Sequence, residues 1–167
     1  MLYFQECFRL ISCMFNSNDK LSPHFRLREF ERSQIANRFD IDNTVKEKQI
    51  YNNLTLLCEN VLEPVRKHYG VPFSPTSGYR CLELNRRLGS SDKSQHVKGQ
   101  AADIEIPTIS NYELGIWIRD NLDYDTVLLE FYKEDVPSSG WVHVSYISKE
   151  NNRKRALKFD GKEYNTL

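Results

Sequence analysis

The most informative part of the sequence is Ser94-Gln95-His96-Val97-Lys98-Gly99-Gln100-Ala101-Ala102-Asp103. It places an imidazole, on His96, and a carboxylate, on Asp103, seven residues apart. Both groups are ligands that a cation such as Zn²⁺ takes in proteins. Spacing alone favours two ordinary polar residues, because His-x6-Asp has little specificity by itself.

The residues that follow the histidine predict a loop that turns back into a strand. Ala102-Asp103-Ile104-Glu105-Ile106 alternates apolar and polar residues, as a half-buried strand does. On such a strand Asp103 and Glu105 share one face. Gly99 allows the loop to turn back, and the small alanines before Asp103 leave space beside a metal ion.

A third ligand is offered by a second alternating run, Trp141-Val142-His143-Val144-Ser145-Tyr146. If this run forms a neighbouring strand, His143 lies beside Asp103. Two histidines and one carboxylate, with a fourth position open to water, are typical of a catalytic zinc site.

The sequence around these candidate ligands resembles a known zinc-binding signature, Ser-x-His-x-x-Gly-x-Ala-x-Asp. Its five fixed positions are filled by Ser94, His96, Gly99, Ala101 and Asp103. The pattern resembles that of the zinc D-alanyl-D-alanine carboxypeptidase and dipeptidase family, which has the hedgehog-type zinc peptidase fold. Three further motifs resemble the family in the same order: Leu27-Arg28-Glu29-Phe30, Ser77-Gly78-Tyr79-Arg80 and Trp141-Val142-His143. The likeness covers roughly residues 25–147 and is strongest to the small members of phages and prophages.

The resemblance implies a zinc-dependent peptidase in which His96, Asp103 and His143 hold Zn²⁺ as the cofactor. The implied substrate is a peptide bond in bacterial peptidoglycan, in the stem peptides or their cross-links. Both a D-Ala-D-Ala carboxypeptidase-like and an endolysin-like activity fit it. Arg80 corresponds to the family's substrate-contacting arginine, and its planar fork suits a carboxylate. Ser94 is a second candidate for substrate binding, or for orienting His96.

The general base is the position where this chain departs from the family pattern. Many members have an acid three residues before the last histidine, where this chain has Gly140. The predicted replacement is Glu130, the one carboxylate in the apolar run Leu128-Leu129-Glu130-Phe131-Tyr132. Burying an unpaired carboxylate costs free energy, so its presence there indicates a function. Glu105 competes, because it shares a strand face with Asp103.

A second function from another class stays open. Hedgehog signalling domains show that this zinc fold can serve recognition without catalysis. Gly140 at the usual acid position favours a catalytically weak or inactive zinc-binding recognition or structural module of the same fold. A carboxylate within reach of the metal site would favour the enzyme, and its absence would favour the module.

Length and composition limit the remaining possibilities. The 167 residues suit a single domain, and 40% hydrophobic residues supply a core. Equal numbers of basic and acidic residues, 23 each, argue against a nucleic-acid partner bound through bulk charge. No apolar run approaches the ~20 residues of a membrane span. We expect a monomer that acts on a peptidoglycan peptide.

The order of the predicted elements indicates an α+β fold, with helices packed on a small, mostly antiparallel sheet that carries the metal site. We expect an N-terminal extension over residues 1–20, the peptidase-like domain over 21–148 and a C-terminal tail over 149–167. In that tail, residues 156–159 are expected to add an edge strand. Residues 1–15 are apolar-rich but have no basic leader and no small-residue cleavage site, so a secretory signal fits poorly. We expect synthesis in the cytoplasm and action on the cell wall in a phage or prophage context.

Overall fold

The sheet is the part of the fold that positions the candidate site. A computed structural model of the chain describes residues 15–167. The five strands, in chain order, are β1 (Ala101–Ile104), β2 (Thr126–Glu130), β3 (Trp141–Ser145), β4 (Arg155–Phe159) and β5 (Tyr164–Thr166). They lie in the order β1-β3-β2-β4-β5. All neighbouring pairs are antiparallel except β2 and β4, which are parallel.

The alternation of side chains gives the sheet two different faces. One face carries small and branched apolar residues that are fully buried, among them Ala102, Val127 and Val144. Together with apolar side chains of the helices, these residues form the main hydrophobic core. The opposite face carries Asp103, which pairs with His143 across the β1–β3 ladder. The sequence alternation therefore separates the core from the candidate site.

In the described part of the chain, six α-helices precede or interrupt the strands. They are α1 (Leu27–Glu31), α2 (Gln34–Arg38), α3 (Lys48–Leu57), α4 (Glu63–Tyr69), α5 (Leu82–Arg87) and α6 (Asn111–Asn121). The hydroxyl of Ser110 accepts a hydrogen bond from the Glu113 N–H at the start of α6. With the mostly antiparallel sheet, this arrangement confirms the predicted α+β class.

Helices α3 and α4 are two parts of one long helical segment. A π-helical turn, Cys58–Leu62, joins them and comes just before Pro64. The wider π-helical turn accommodates Pro64, which has no backbone N–H to donate to the preceding turn. Gly70 ends the segment in the left-handed conformation, with φ of +66°, as a C-terminal glycine commonly does.

The end of the chain is part of the sheet. Residues 156–159 form a strand, as predicted, but β4 lies between β2 and β5 and is not an edge strand. The reason is β5, a short and exposed strand that pairs along the outer side of β4. The predicted role of residues 1–14 as part of an extension lies outside the described residues. Within residues 15–167, no helix is both long and apolar enough to cross a membrane.

Candidate metal centre

Three predicted ligands converge at the β1–β3 pair. The Nε2 atom of His96 lies 3.2 Å from Nδ1 of His143 and 3.3 Å from Oδ1 of Asp103. The same Nδ1 of His143 lies 3.0 Å from Oδ1 of Asp103. Three potential ligand atoms thus form a nearly equilateral triangle.

The size of this triangle fits a zinc ion. Zinc bonds of about 2.0–2.2 Å to nitrogen and oxygen, in tetrahedral geometry, place two ligand atoms about 3.3–3.6 Å apart. The observed separations, 3.0–3.3 Å, lie at the lower end of this range or slightly below it. Two imidazoles and one carboxylate leave one tetrahedral position for water or substrate, as in a catalytic rather than a closed structural site.

His96 is oriented by the backbone of the Ser-Gly-Tyr-Arg loop. Its Nδ1 lies 2.7 Å from the carbonyl oxygen of Gly78. Because a carbonyl can only accept, Nδ1 carries the proton and Nε2 keeps its lone pair toward His143 and Asp103. His96 is 4% exposed, and this burial lowers the pKa of the imidazole. The ring is therefore held in the neutral form that binds a metal.

Asp103 is held in the ionised form. Burial by itself raises the pKa of this carboxyl, but His96 and His143 lower it well below its ordinary range. Its second oxygen, Oδ2, accepts a hydrogen bond of 2.7 Å from Nη2 of Arg80. One carboxylate oxygen thus faces the histidines while the other is fixed by a guanidinium.

The guanidinium of Arg80 forms hydrogen bonds within the protein and also lies beside the candidate metal site. Its Nε and Nη2 donate to the Ser77 hydroxyl at 3.0 and 2.8 Å, and Nη2 also reaches Asp103. The salt bridge with Asp103 gives Arg80 a structural role. The remaining nitrogen, Nη1, has no hydrogen-bond partner within residues 15–167, so substrate binding by Arg80 stays a prediction.

Ser94 lies in the turn that begins the metal-binding loop. Its hydroxyl accepts a hydrogen bond of 3.3 Å from the backbone N–H of His96. This contact fits the predicted role of orienting His96. Direct binding of substrate by Ser94 stays a prediction.

Helix α3 supports the same loop from behind. Gly99 has φ of +67°, and a Cβ added there would lie 2.8 Å from the carbonyl oxygen of Ile50. The Asn53 amide also donates to the carbonyl of Lys98 at 2.8 Å. The glycine predicted to turn the loop is required both by its backbone conformation and by this close approach.

Glu130 lies on the same face of the sheet as the ligands. The register pairs Leu128 with His143 and Glu130 with Trp141. Glu130 is therefore a diagonal cross-strand neighbour of His143, and residues so placed are about 7–8 Å apart. It has no hydrogen-bond or ion-pair partner in the described part of the chain. Burial raises its pKa, against the opposing effect of His143.

The competing acid, Glu105, is placed differently. Strand β1 ends at Ile104, so Glu105 follows the strand and is exposed to solvent. It does not belong to the group of potential ligands that meet at His96. The position of Glu130 supports the base role better, although no contact decides between the two acids.

Gly140 is a position that cannot carry an acid in this backbone. Its φ is +64°, and an added Cβ would lie 1.6 Å from the carbonyl oxygen of Glu130. A side chain there would require the β2–β3 connection to move. The glycine is thus part of the packing that holds Glu130 in place.

A second polar network, centred on Asp125, was not predicted. Asp125 is fully buried. It accepts from Nε and Nη2 of Arg153, at 2.9 and 2.5 Å, and from the amide of Gln95 at 3.0 Å. The pair ties the C-terminal part of the chain to the loop that carries Gln95 and His96.

The comparisons with known proteins agree with this geometry. A family model described as Peptidase M15 matches residues 23–145, which include every candidate site residue. The chain belongs to the peptidase M15 family. No curated protein matches the chain. The M15 match ends at the last residue of β3, so β4 and β5 lie beyond it.

Membership of the M15 family supports a metal-dependent peptidase, in agreement with the ligand triangle. The predicted relationship is confirmed at the level of this peptidase family. Carboxypeptidase specificity and kinship with phage members stay predictions. Zinc is the metal that the donor set and the ligand separations favour.

Proposed function

We propose that this M15 chain is a zinc-dependent peptidase that hydrolyses a peptide bond in bacterial peptidoglycan. One observation carries the proposal. An unpartnered carboxylate, Glu130, lies diagonally across the ladder from His143, next to a ligand triangle of zinc dimensions. A recognition module would not need this second acid.

The residues would divide the chemistry as follows. His96, Asp103 and His143 would hold the ion, which lowers the pKa of a coordinated water and polarises a carbonyl. Glu130 would accept the proton of the attacking water and pass it to the leaving amine. Its raised pKa suits both steps, because a base with a pKa nearer neutrality can also return the proton.

The surroundings of Arg80 support an anionic peptide substrate. A cleft of about 660 Å³ is lined in part by Arg80, which donates to Asp103 of the His96–Asp103–His143 triad. Its lining combines basic, hydroxyl and apolar side chains: Arg32, Ser77, Arg80, Leu84 and Leu88. The free Nη1 of Arg80 is suited to a substrate carboxylate, and cell-wall stem peptides carry such groups. We propose that the wall is reached in a phage or prophage context.

The experiment is digestion of purified peptidoglycan by the zinc-loaded protein, with mass spectrometry of the released fragments. We expect new peptide termini that identify the cleaved bond, and none with His96→Ala. Bound zinc without cleavage of any wall substrate would contradict the enzyme and support the recognition module. Cleavage that survives His96→Ala would exclude the triad as the active centre.

A further inference from the structure

Four aromatic side chains form a continuous cluster on the face of the sheet that carries the triad. They are Phe131, Trp141, Phe159 and Tyr164, termed the aromatic row below. Ring centroids lie 5.3 Å apart for Phe131 and Trp141, 5.5 Å for Phe131 and Phe159, and 4.6 Å for Phe159 and Tyr164. The last pair is stacked.

The strand register places the aromatic row beside the proposed catalytic groups. Glu130 pairs with Trp141 on β3 and with Phe159 on β4, and Phe159 pairs with Tyr164 on β5. Asp103 and His143 belong to the next cross-strand row, roughly 7 Å along the strands. A substrate that extends from Glu130 across strands β4 and β5 would therefore lie on the aromatic row.

Two members of the row are open to solvent. Tyr164 is 61% exposed and Phe131 is 48% exposed. Alternation along β2 would direct Phe131 toward the core, but its φ of +53° turns the ring onto Trp141 and Phe159. A left-handed conformation is uncommon for a bulky residue. A contiguous exposed patch of this kind is typical of an interaction surface.

We propose that the aromatic row binds sugar rings of the glycan strand to which the stem peptide is attached. The inference rests on the proposed function. A pyranose ring presents a face of C–H groups that packs on the electron-rich face of an aromatic ring. A D-Ala-D-Ala bond, the target of the carboxypeptidase-like activity, offers only methyl side chains to these rings.

The dimensions of the row and its continuity with the site support a glycan. From Trp141 to Tyr164 the row crosses three inter-strand steps, a span of about 14 Å, which accommodates more than one sugar. Two of its members, Phe159 and Tyr164, lie beyond the span matched by the family model. This chain would therefore use its last two strands to hold the polymer while the triad acts on the peptide.

A direct binding test uses Trp141 as the reporter. The chain has two tryptophans, so Trp117→Phe leaves Trp141 as the single source of tryptophan fluorescence. Titration with the tetramer of N-acetylglucosamine is expected to change its emission saturably. Adding Tyr164→Ala should weaken the affinity roughly tenfold, as for loss of one aromatic contact. Tyr164→Phe keeps the ring and should keep the affinity.

A kinetic comparison separates this inference from the proposed function. For Tyr164→Ala, KM should rise roughly tenfold for peptides attached to sugar, with unchanged kinetics on the same free peptide. No saturable fluorescence change, or an equal effect on both substrates, would overturn sugar binding even if the free peptide is cleaved normally. A dimer that Tyr164→Ala dissociates would also overturn it, by assigning the row to a second copy. If neither substrate is cleaved, the proposed function fails, and the fluorescence titration still decides the role of the row.

Discussion

The ligand side chains are prepared for a cation by their immediate neighbours. The carbonyl of Gly78 fixes the proton of His96 on Nδ1, and Arg80 fixes the outer oxygen of Asp103. These contacts leave one nitrogen and one oxygen facing the same point as Nδ1 of His143. Orientation of this kind reduces the reorganisation that metal binding requires.

The role of Glu130 is tested by Glu130→Gln, which keeps the size of the side chain but removes the base. We expect hydrolysis to fall about 10²–10⁴-fold while zinc content stays that of the wild type. The matched control is Glu105→Gln, which should remain close to wild type because Glu105 is exposed beyond the end of β1. The opposite pattern of rates would assign the base to Glu105.

Arg80 is predicted to support the metal site through Asp103. Arg80→Ala should weaken zinc affinity about 10–100-fold, measured by competition with a chelating dye, because Asp103 loses its orienting partner. Arg80→Lys should restore part of the affinity by supplying one donor. Unchanged zinc affinity with a raised KM would show that Arg80 serves the substrate alone.

At the level of elements, the connection between β2 and β3 holds Glu130 in place. The amide of Asn111, at the start of α6, donates to the carbonyls of Ser138, Ser139 and Gly140 at 2.9–3.3 Å. Asn111 is buried. The loop is thus fixed to the helix on one side and packed against the end of β2 on the other.

Gly140→Ala should destabilise the protein by about 3 kcal/mol or more, because left-handed strain adds to a backbone overlap. Gly89→Ala is the matched control, since Gly89 also has a positive φ, +72°, but has nothing within 4 Å of an added Cβ. Strain alone should cost about 1 kcal/mol there. Urea unfolding of both variants gives the comparison. Equal losses would show that the β2–β3 connection yields easily.

At the level of the whole molecule, Asp125 joins the metal-binding loop, the sheet and the chain end. Burial alone would raise the pKa of Asp125, but its hydrogen bonds from Arg153 and Gln95 lower it from 3.8 to about 2. A carboxyl with a lowered folded-state pKa stabilises the protein fully above its ordinary pKa. That stabilisation is lost as the pH falls through about 2.

Between pH 5 and pH 2 the wild type should therefore lose about 2 kcal/mol more unfolding free energy than Asp125→Asn. Denaturant unfolding across this pH range measures the difference. Asp120→Asn is the control, because its ion pair with Arg119 is at the surface and should change the pH dependence less. Parallel curves for wild type and Asp125→Asn would contradict the assigned network.

The sequence predicted the local features of the fold well and the long-range ones poorly. The strands β1 and β3 and the His96–Asp103–His143 cluster follow from alternation and from a motif, which are local patterns. Strand β5 was missed because residues 164–166 are exposed and gain their order from β4. The Asp125–Arg153 pair spans 28 residues, and no local pattern encodes it. Strand alternation does not predict the position of the Phe131 ring, because that position depends on a left-handed backbone, with φ of +53°.

Metal content tests the central claim most directly. Elemental analysis of the purified wild type and of His143→Ala, both dialysed against the same zinc buffer, compares the intact triad with one that lacks a ligand. We predict about one zinc per wild-type chain and little in the variant, as expected for a site with three protein ligands. A wild type without stoichiometric metal, or a variant that retains it, would contradict the assignment of His96, Asp103 and His143 as a zinc centre.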